Sequence, residues 1–177
     1  SSMPAVGWLL LPAAAFAIDL MLWHRSIDAV GPGLATLLAN FQVFLMALAG
    51  VLWFNERLGA RFLGGLGLAF AGTWLLVGRD WSVLASGYRQ GIWLGLVTGV
   101  AYAAYMLSMR HAQARQAGGG PEQALCIMSL ACAAMLGASA ALEGQSFAIP
   151  DAQAWSALLA LGLTGQVLGW VLIGRAL

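Results

Sequence analysis

Apolar residues run almost unbroken through six stretches of the chain, at residues 6–23, 34–54, 62–77, 92–109, 124–142 and 155–173. A helix needs roughly 17–25 such residues to cross the hydrocarbon of a bilayer. Five stretches meet that length and the third falls just short. A barrel strand would instead alternate polar and apolar positions over about 9–11 residues, so helices are predicted. The stretches are divided by polar or turn-forming residues at 28–33 with Pro32, 55–61, 78–89, 113–121 and 143–151 with Pro150. None of these breaks is long enough for a soluble module, and one membrane-embedded body is expected. Trp8, Trp23, Trp53, Trp81, Trp93, Trp155 and Trp170 fall mostly near span ends, the depth that amphipathic rings prefer.

Composition strengthens this reading. Hydrophobic residues make up 61% of the 177 and charged residues 8%, with mean hydropathy +0.83. A soluble domain carries about 25% charge, so lipid is the expected solvent. A net charge of +1 gives no sign of a nucleic-acid partner. All eight basic residues are arginines. With the N-terminus inside, loops alternate so that Arg57, Arg61, Arg110, Arg115 and Arg175 lie inside, against Arg25, Arg79 and Arg89 outside. That bias favours a cytoplasmic N-terminus. Cys126 and Cys132 stand six apart on one predicted helix, which suits buried thiols rather than a disulfide or a metal site.

Two sets of residues within the spans carry further information. Gly91, Gly95 and Gly99 repeat every fourth position, with Ala103 continuing the row, and bare backbone there admits a neighbouring helix. Gly165 and Gly169 repeat that spacing, and Gly64, Gly65, Gly67 and Gly72 thin the third span. The second set is polar. Asp19 is the one acidic residue well inside an apolar run, and an intramembrane carboxylate is a functional hypothesis by default. It shares a helical stripe with Pro12, Phe16, Trp23 and Ser26. Thr98, Tyr102, Tyr105 and Met109 form a stripe on the fourth span, either packing or cavity wall. Asn40 shares a face with Thr36, while Gln42 points about 200° away, so one of the two amides is interhelical glue. Gln166 and Trp170 pair one turn apart on the last span. The candidates for a substrate or proton pathway are therefore Asp19, Trp23, Asn40, Tyr102, Tyr105, Gln166 and Trp170. Glu56, at a helix junction, suits a carboxylate capping the opening N–H groups of the next helix. Glu56, Gly91, Gly95 and Gly99 are thus read as structural.

Several stretches resemble a known family. They are Phe16-Ala17-Ile18-Asp19-Leu20, Trp23-His24-Arg25-Ser26-Ile27, Val30-Gly31-Pro32-Gly33-Leu34-Ala35-Thr36, Asn40-Phe41-Gln42-Val43 and Asn55-Glu56-Arg57-Leu58. Further on, Gly165-Gln166-Val167-Leu168-Gly169-Trp170 and Gly174-Arg175-Ala176-Leu177 join them. Together they resemble EamA-type transporters of the drug/metabolite transporter superfamily. The resemblance implies an all-α polytopic bundle built from two inverted five-helix repeats around a central cavity. On that map residues 1–78 are the latter part of the first repeat, with three helices, and residues 79–90 connect it to the second. Residues 91–177 are the first three helices of that second repeat. The chain then matches the third to eighth helices of ten, two helices flank it on either side, and the whole protein has roughly 300 residues.

The leading expectation is a secondary transporter in the bacterial inner membrane, moving a small metabolite or drug-like molecule by alternating access. A carboxyl that is charged when exposed and neutral when occluded would couple protons to that movement. A non-transporting scaffold or assembly subunit is the alternative. An embedded enzyme would need clustered catalytic groups, whereas His24 and His111 fall on opposite sides and no metal-ligand spacing occurs. The expected partners are lipid, a small-molecule substrate, the flanking helices and a second copy in a homodimer. No cofactor, metal or nucleic acid is expected.

Overall fold

The computed structural model describes residues 3–78, 81–82, 84–115 and 121–169. Among these the chain is all-helical: α1 (Met3–Val30), α2 (Pro32–Ala39), α3 (Gln42–Phe54), α4 (Ala60–Val77), α5 (Ser86–Ala114), α6 (Pro121–Leu142) and α7 (Ala152–Leu161). A π-helical segment, Gly162–Leu168, continues α7. Five spans among the described residues are long and apolar enough to cross a membrane, with α2 and α3 forming one of them. The sixth expected span is described only as far as Gly169. Arg79, Arg175 and Trp170 lie outside the described residues.

The six-residue polar break expected at 28–33 shrinks to a single residue. Gly31 takes φ 83°, which needs no Cβ to be accommodated, and Pro32 opens α2 with its φ already suited to a helix. Helix α1 therefore runs on to Val30 and turns back at once.

The second expected span is not one continuous helix. Phe41, Val43 and Phe44 donate to carbonyls three residues back, at Leu38, Asn40 and Phe41 (3.0 Å each), so the backbone tightens at Asn40–Phe41. The cause lies on a neighbour. A Cβ on Gly99 would stand 3.0 Å from the Ala39 carbonyl oxygen and 3.1 Å from the Gln42 nitrogen, so α5 lies backbone-on against this break.

The rest of the glycine row also carries contacts. A Cβ on Gly95 would meet the Leu38 Cβ and the Ser26 Oγ at 2.9 Å, and one on Gly91 would meet the Ala29 Cβ at 2.5 Å. Ser26, fully buried, donates from Oγ to the Gly91 carbonyl at 2.8 Å. Lipid offers little hydrophobic drive between helices, so this close packing and hydrogen bonding hold α1, α2 and α5 together. The glycines of the third span behave otherwise. Gly64, Gly65, Gly67 and Gly72 have nothing within 4 Å, and neither has Gly165. Helix α4 stands at the edge of the described bundle, and the packing expected of its glycines is absent there.

Helix ends sort into two opposite sets. At one end Arg25 pairs with Glu143 and Gly91 meets Ala29. At the other, the Arg115 guanidinium lies 4.2 Å above the Trp8 ring, Trp8 meets His111 edge-on at 5.5 Å, and Arg110 covers Phe54 at 3.9 Å. The two histidines lie at opposite ends, as alternating spans require.

Candidate functional site

Three helices meet around Asp19. The stripe of α1 that carries it turns inward: Pro12 and Ser26 are fully buried, Phe16 and Trp23 are half-buried, and Asp19 keeps 6% of its surface. Helix α5 answers with Thr98 and Tyr105, both buried, and Tyr102, half-buried. Helix α6 contributes Met128 and Cys132, both buried.

One side of Asp19 is closed by rings and apolar side chains. Phe16, one turn before it, lies 4.9 Å from Tyr105 and 6.5 Å from Tyr102, and the two tyrosines meet edge-on at 5.4 Å. Ala13, Tyr105 and Met128 form one buried cluster there, and Leu9, Ala112 and Ala124 continue the seal towards the N-terminus of α1. The Asp19 carboxylate lies within electrostatic reach of the Tyr102 hydroxyl and the Cys132 thiol. On the other side the seam between α1 and α6 is crossed by Arg25 and Glu143. Arg25 stands about 9 Å beyond Asp19 along α1, and Glu143 about 16 Å beyond Cys132 along α6. The reach of an arginine side chain accounts for most of the difference.

Among the described residues Asp19 has no ion-pair partner and no hydrogen-bond donor. The ion pair recorded is Arg25–Glu143, and no side-chain hydrogen bond involves position 19. A carboxylate packed among apolar side chains without a partner is energetically costly.

The remaining candidates disperse. Trp23 packs edge-on to His24 at 5.3 Å, apart from the ring cluster. Asn40 is exposed and donates from Nδ2 to the Thr36 carbonyl at 3.0 Å, which satisfies it on its own helix. Gln42 is the amide turned inward: its Oε1 is buried without a partner beside the helix break. Gln166 sits in the π-helical segment and its side chain lies outside the described residues, as does Trp170. Glu56 does not cap α4. Gly59 occupies that cap with no side-chain bond, and Glu56 folds back so that its N–H donates to the Gly50 carbonyl at 2.9 Å. The left-handed Asn55 (φ 51°) turns the chain back after α3 and brings Glu56 there. Of the two cysteines, Cys132 is buried and Cys126 is exposed, which corrects the reading of both as buried.

A separate cleft of about 410 Å³ lies between α2, α4 and α5, lined by Leu38, Phe41, Phe70, Trp74, Trp81 and Trp93 among others. Its one hydroxyl, Thr73, already donates to the Ala69 carbonyl at 2.9 Å, and the indoles of Trp74, Trp81 and Trp93 are the other polar side chains in its lining. It holds no charged group, so the Asp19 cluster is the stronger candidate site.

Comparison with family models, with curated proteins and with solved structures returns no match.

Proposed function

We propose that the chain belongs to a secondary transporter of the EamA type that carries a small metabolite or drug-like molecule through the bilayer by alternating access. On this reading residues 1–78 and 91–177 come from two inverted repeats joined by residues 79–90. The N-terminal end faces the cytoplasm across a bacterial inner membrane. The observation that carries the reading is the unpartnered Asp19 between α1, α5 and α6, with a ring cluster on one side of it and an ion pair on the other. Inverted-repeat transporters place their sites near the midplane between helices. In the proposed cycle Asp19 is occluded and neutral in one state, exposed and charged in the other, so that proton and substrate movements are coupled. Tyr102 and Tyr105 on α5 and Cys132 on α6 are the other titratable groups around it.

Flux against pH in proteoliposomes tests this. Asp19→Asn keeps the shape and removes the charge, so it should abolish pH-dependent transport while the protein inserts and accumulates normally. An unchanged pH profile in the variant would make Asp19 structural and remove its coupling role.

A further inference from the structure

The cleft between α2, α4 and α5 has an apolar floor and open apolar walls. Leu38, Val77 and Ile92 are buried together at its floor, whereas Phe70 and Trp74 on α4 and Trp93 on α5 are exposed. Its lining along α4 runs from Phe70 to Gly78, a length of about 12 Å at the helical rise. One leaflet of bilayer hydrocarbon is about 15 Å deep. The cleft is therefore about one leaflet deep, and its Gly78–Trp81 end lies where α4 leaves the apolar span.

Size and chemistry narrow the occupant. A helix with its side chains is about 10–12 Å across, so a single turn of it already fills roughly 400–600 Å³. The cleft holds about 410 Å³, too little for a further spanning helix. A hydrocarbon chain is slender and needs no hydrogen-bond partner, which suits a lining whose one hydroxyl is already bonded to its own helix. The surface end has a different character. Trp81 and Trp93 meet edge-on at 6.1 Å and carry indole N–H donors at the depth of lipid headgroups. Arg89 stands one turn before Trp93 on the same face of α5, and a guanidinium there matches a phosphate.

We infer that the cleft binds one anionic phospholipid of the surrounding bilayer, with an acyl chain between α4 and α5 and the phosphate towards Arg89. The lipid fills the gap that separates α4 from the rest of the bundle. This requires that α4 and α5 cross a membrane and does not depend on the transporter reading.

The test uses the intact chain in phosphatidylcholine nanodiscs that contain some phosphatidylglycerol with a photoactivatable diazirine in one acyl chain. After irradiation, peptide mass spectrometry should place adducts on the cleft residues of α4 and α5. Labelling should saturate and be displaced by unlabelled phosphatidylglycerol. Diazirine-labelled phosphatidylcholine should label the cleft about fivefold less, the weight of one basic residue near a membrane surface. Arg89→Gln should bring the two lipids level. Thr73→Trp fills the cleft and should remove the adducts, whereas Leu75→Trp, about 200° round the helix, should leave them. Three results in the wild-type protein would overturn the site, and none depends on a variant folding. Adducts could spread over the lipid-facing residues of both helices without saturating, as ordinary boundary lipid does. The two lipids could label the cleft equally. The cleft could take no label, as a second copy of the chain seated in it would cause. Flux in proteoliposomes is a separate readout, so loss of the transporter reading leaves the lipid site standing and the reverse also holds.

Discussion

Single atoms decide whether a glycine in this bundle is replaceable. A methyl on Gly91 would sit 2.5 Å from the Ala29 Cβ, which is fixed directly to backbone and cannot swing away. Gly91→Ala should therefore lower stability by about 1–3 kcal/mol, the usual cost of overpacking. Gly67, with open space around it, should behave in the opposite sense, because alanine is the better helix former by about 0.5–1 kcal/mol. Denaturant titrations of the two variants in mixed micelles would check the sign. Equal destabilisation would mean that α4 packs its glycine face against a further helix. Ser26→Ala removes one buried interhelical bond, and such bonds in membranes average about 0.6 kcal/mol, so its effect should be smaller than that of Gly91→Ala.

Of the two long helices packed on α1, α6 is tied more loosely than α5. It meets α1 along its length and is fastened at its end by Arg25 and Glu143, whose side chains are 51% and 41% exposed. A pair so wet contributes less than about 1 kcal/mol to stability. Its value lies in position, since it crosses the seam that leads to Asp19. Glu143→Gln should leave the unfolding midpoint nearly unchanged, yet speed labelling of Cys132 by a water-soluble thiol reagent in a Cys126→Ser background. The charge-swapped double variant, Arg25→Glu with Glu143→Arg, should slow it again. Elements also show what a sequence can and cannot convey. The long spans were legible because continuous apolar runs have no other stable home, and Asp19 stood out because nothing else in those runs is acidic. The break at Asn40–Phe41 was not legible, since neither proline nor glycine marks it and its cause sits on α5 at Gly99. Asn40 and Gln42 did not divide between cavity and interhelical glue, because a tightened backbone does not obey the angle of a straight helix: Asn40 bonds its own helix and the Gln42 Oε1 is buried without a partner. Cys132 and Glu143 could not be linked to α1 from sequence, because only the folded arrangement makes them its neighbours.

For the whole molecule, helix ends gathered at two opposite faces make a direct prediction about sides. Single cysteines placed at Gly59 and at Gln145, in a protein lacking Cys126 and Cys132, should react differently with an impermeant reagent applied to intact cells. Position 145 is expected to label and position 59 to stay protected, in line with the arginine bias. The reverse pattern would invert the proposed orientation and leave the bundle untouched.

The backbone-on-backbone seat of Gly99 against the tightened turn has a mechanical consequence. A helix pressed that closely cannot roll or slide by a fraction of a turn without climbing over a carbonyl, so α5, α1 and α2 behave as a stator. Helix α6, held to α1 by side chains and one ion pair, has more freedom to rock than these three. Spin labels on the ends of α1 and α5 should keep a single narrow distance whatever ligand or pH is applied, while a pair on α1 and α6 should shift or broaden. Amide exchange should follow the same division, slow along the glycine row and faster in α6. On the proposed transporter reading, opening tilts one rod against a fixed frame, with Asp19 standing on the frame.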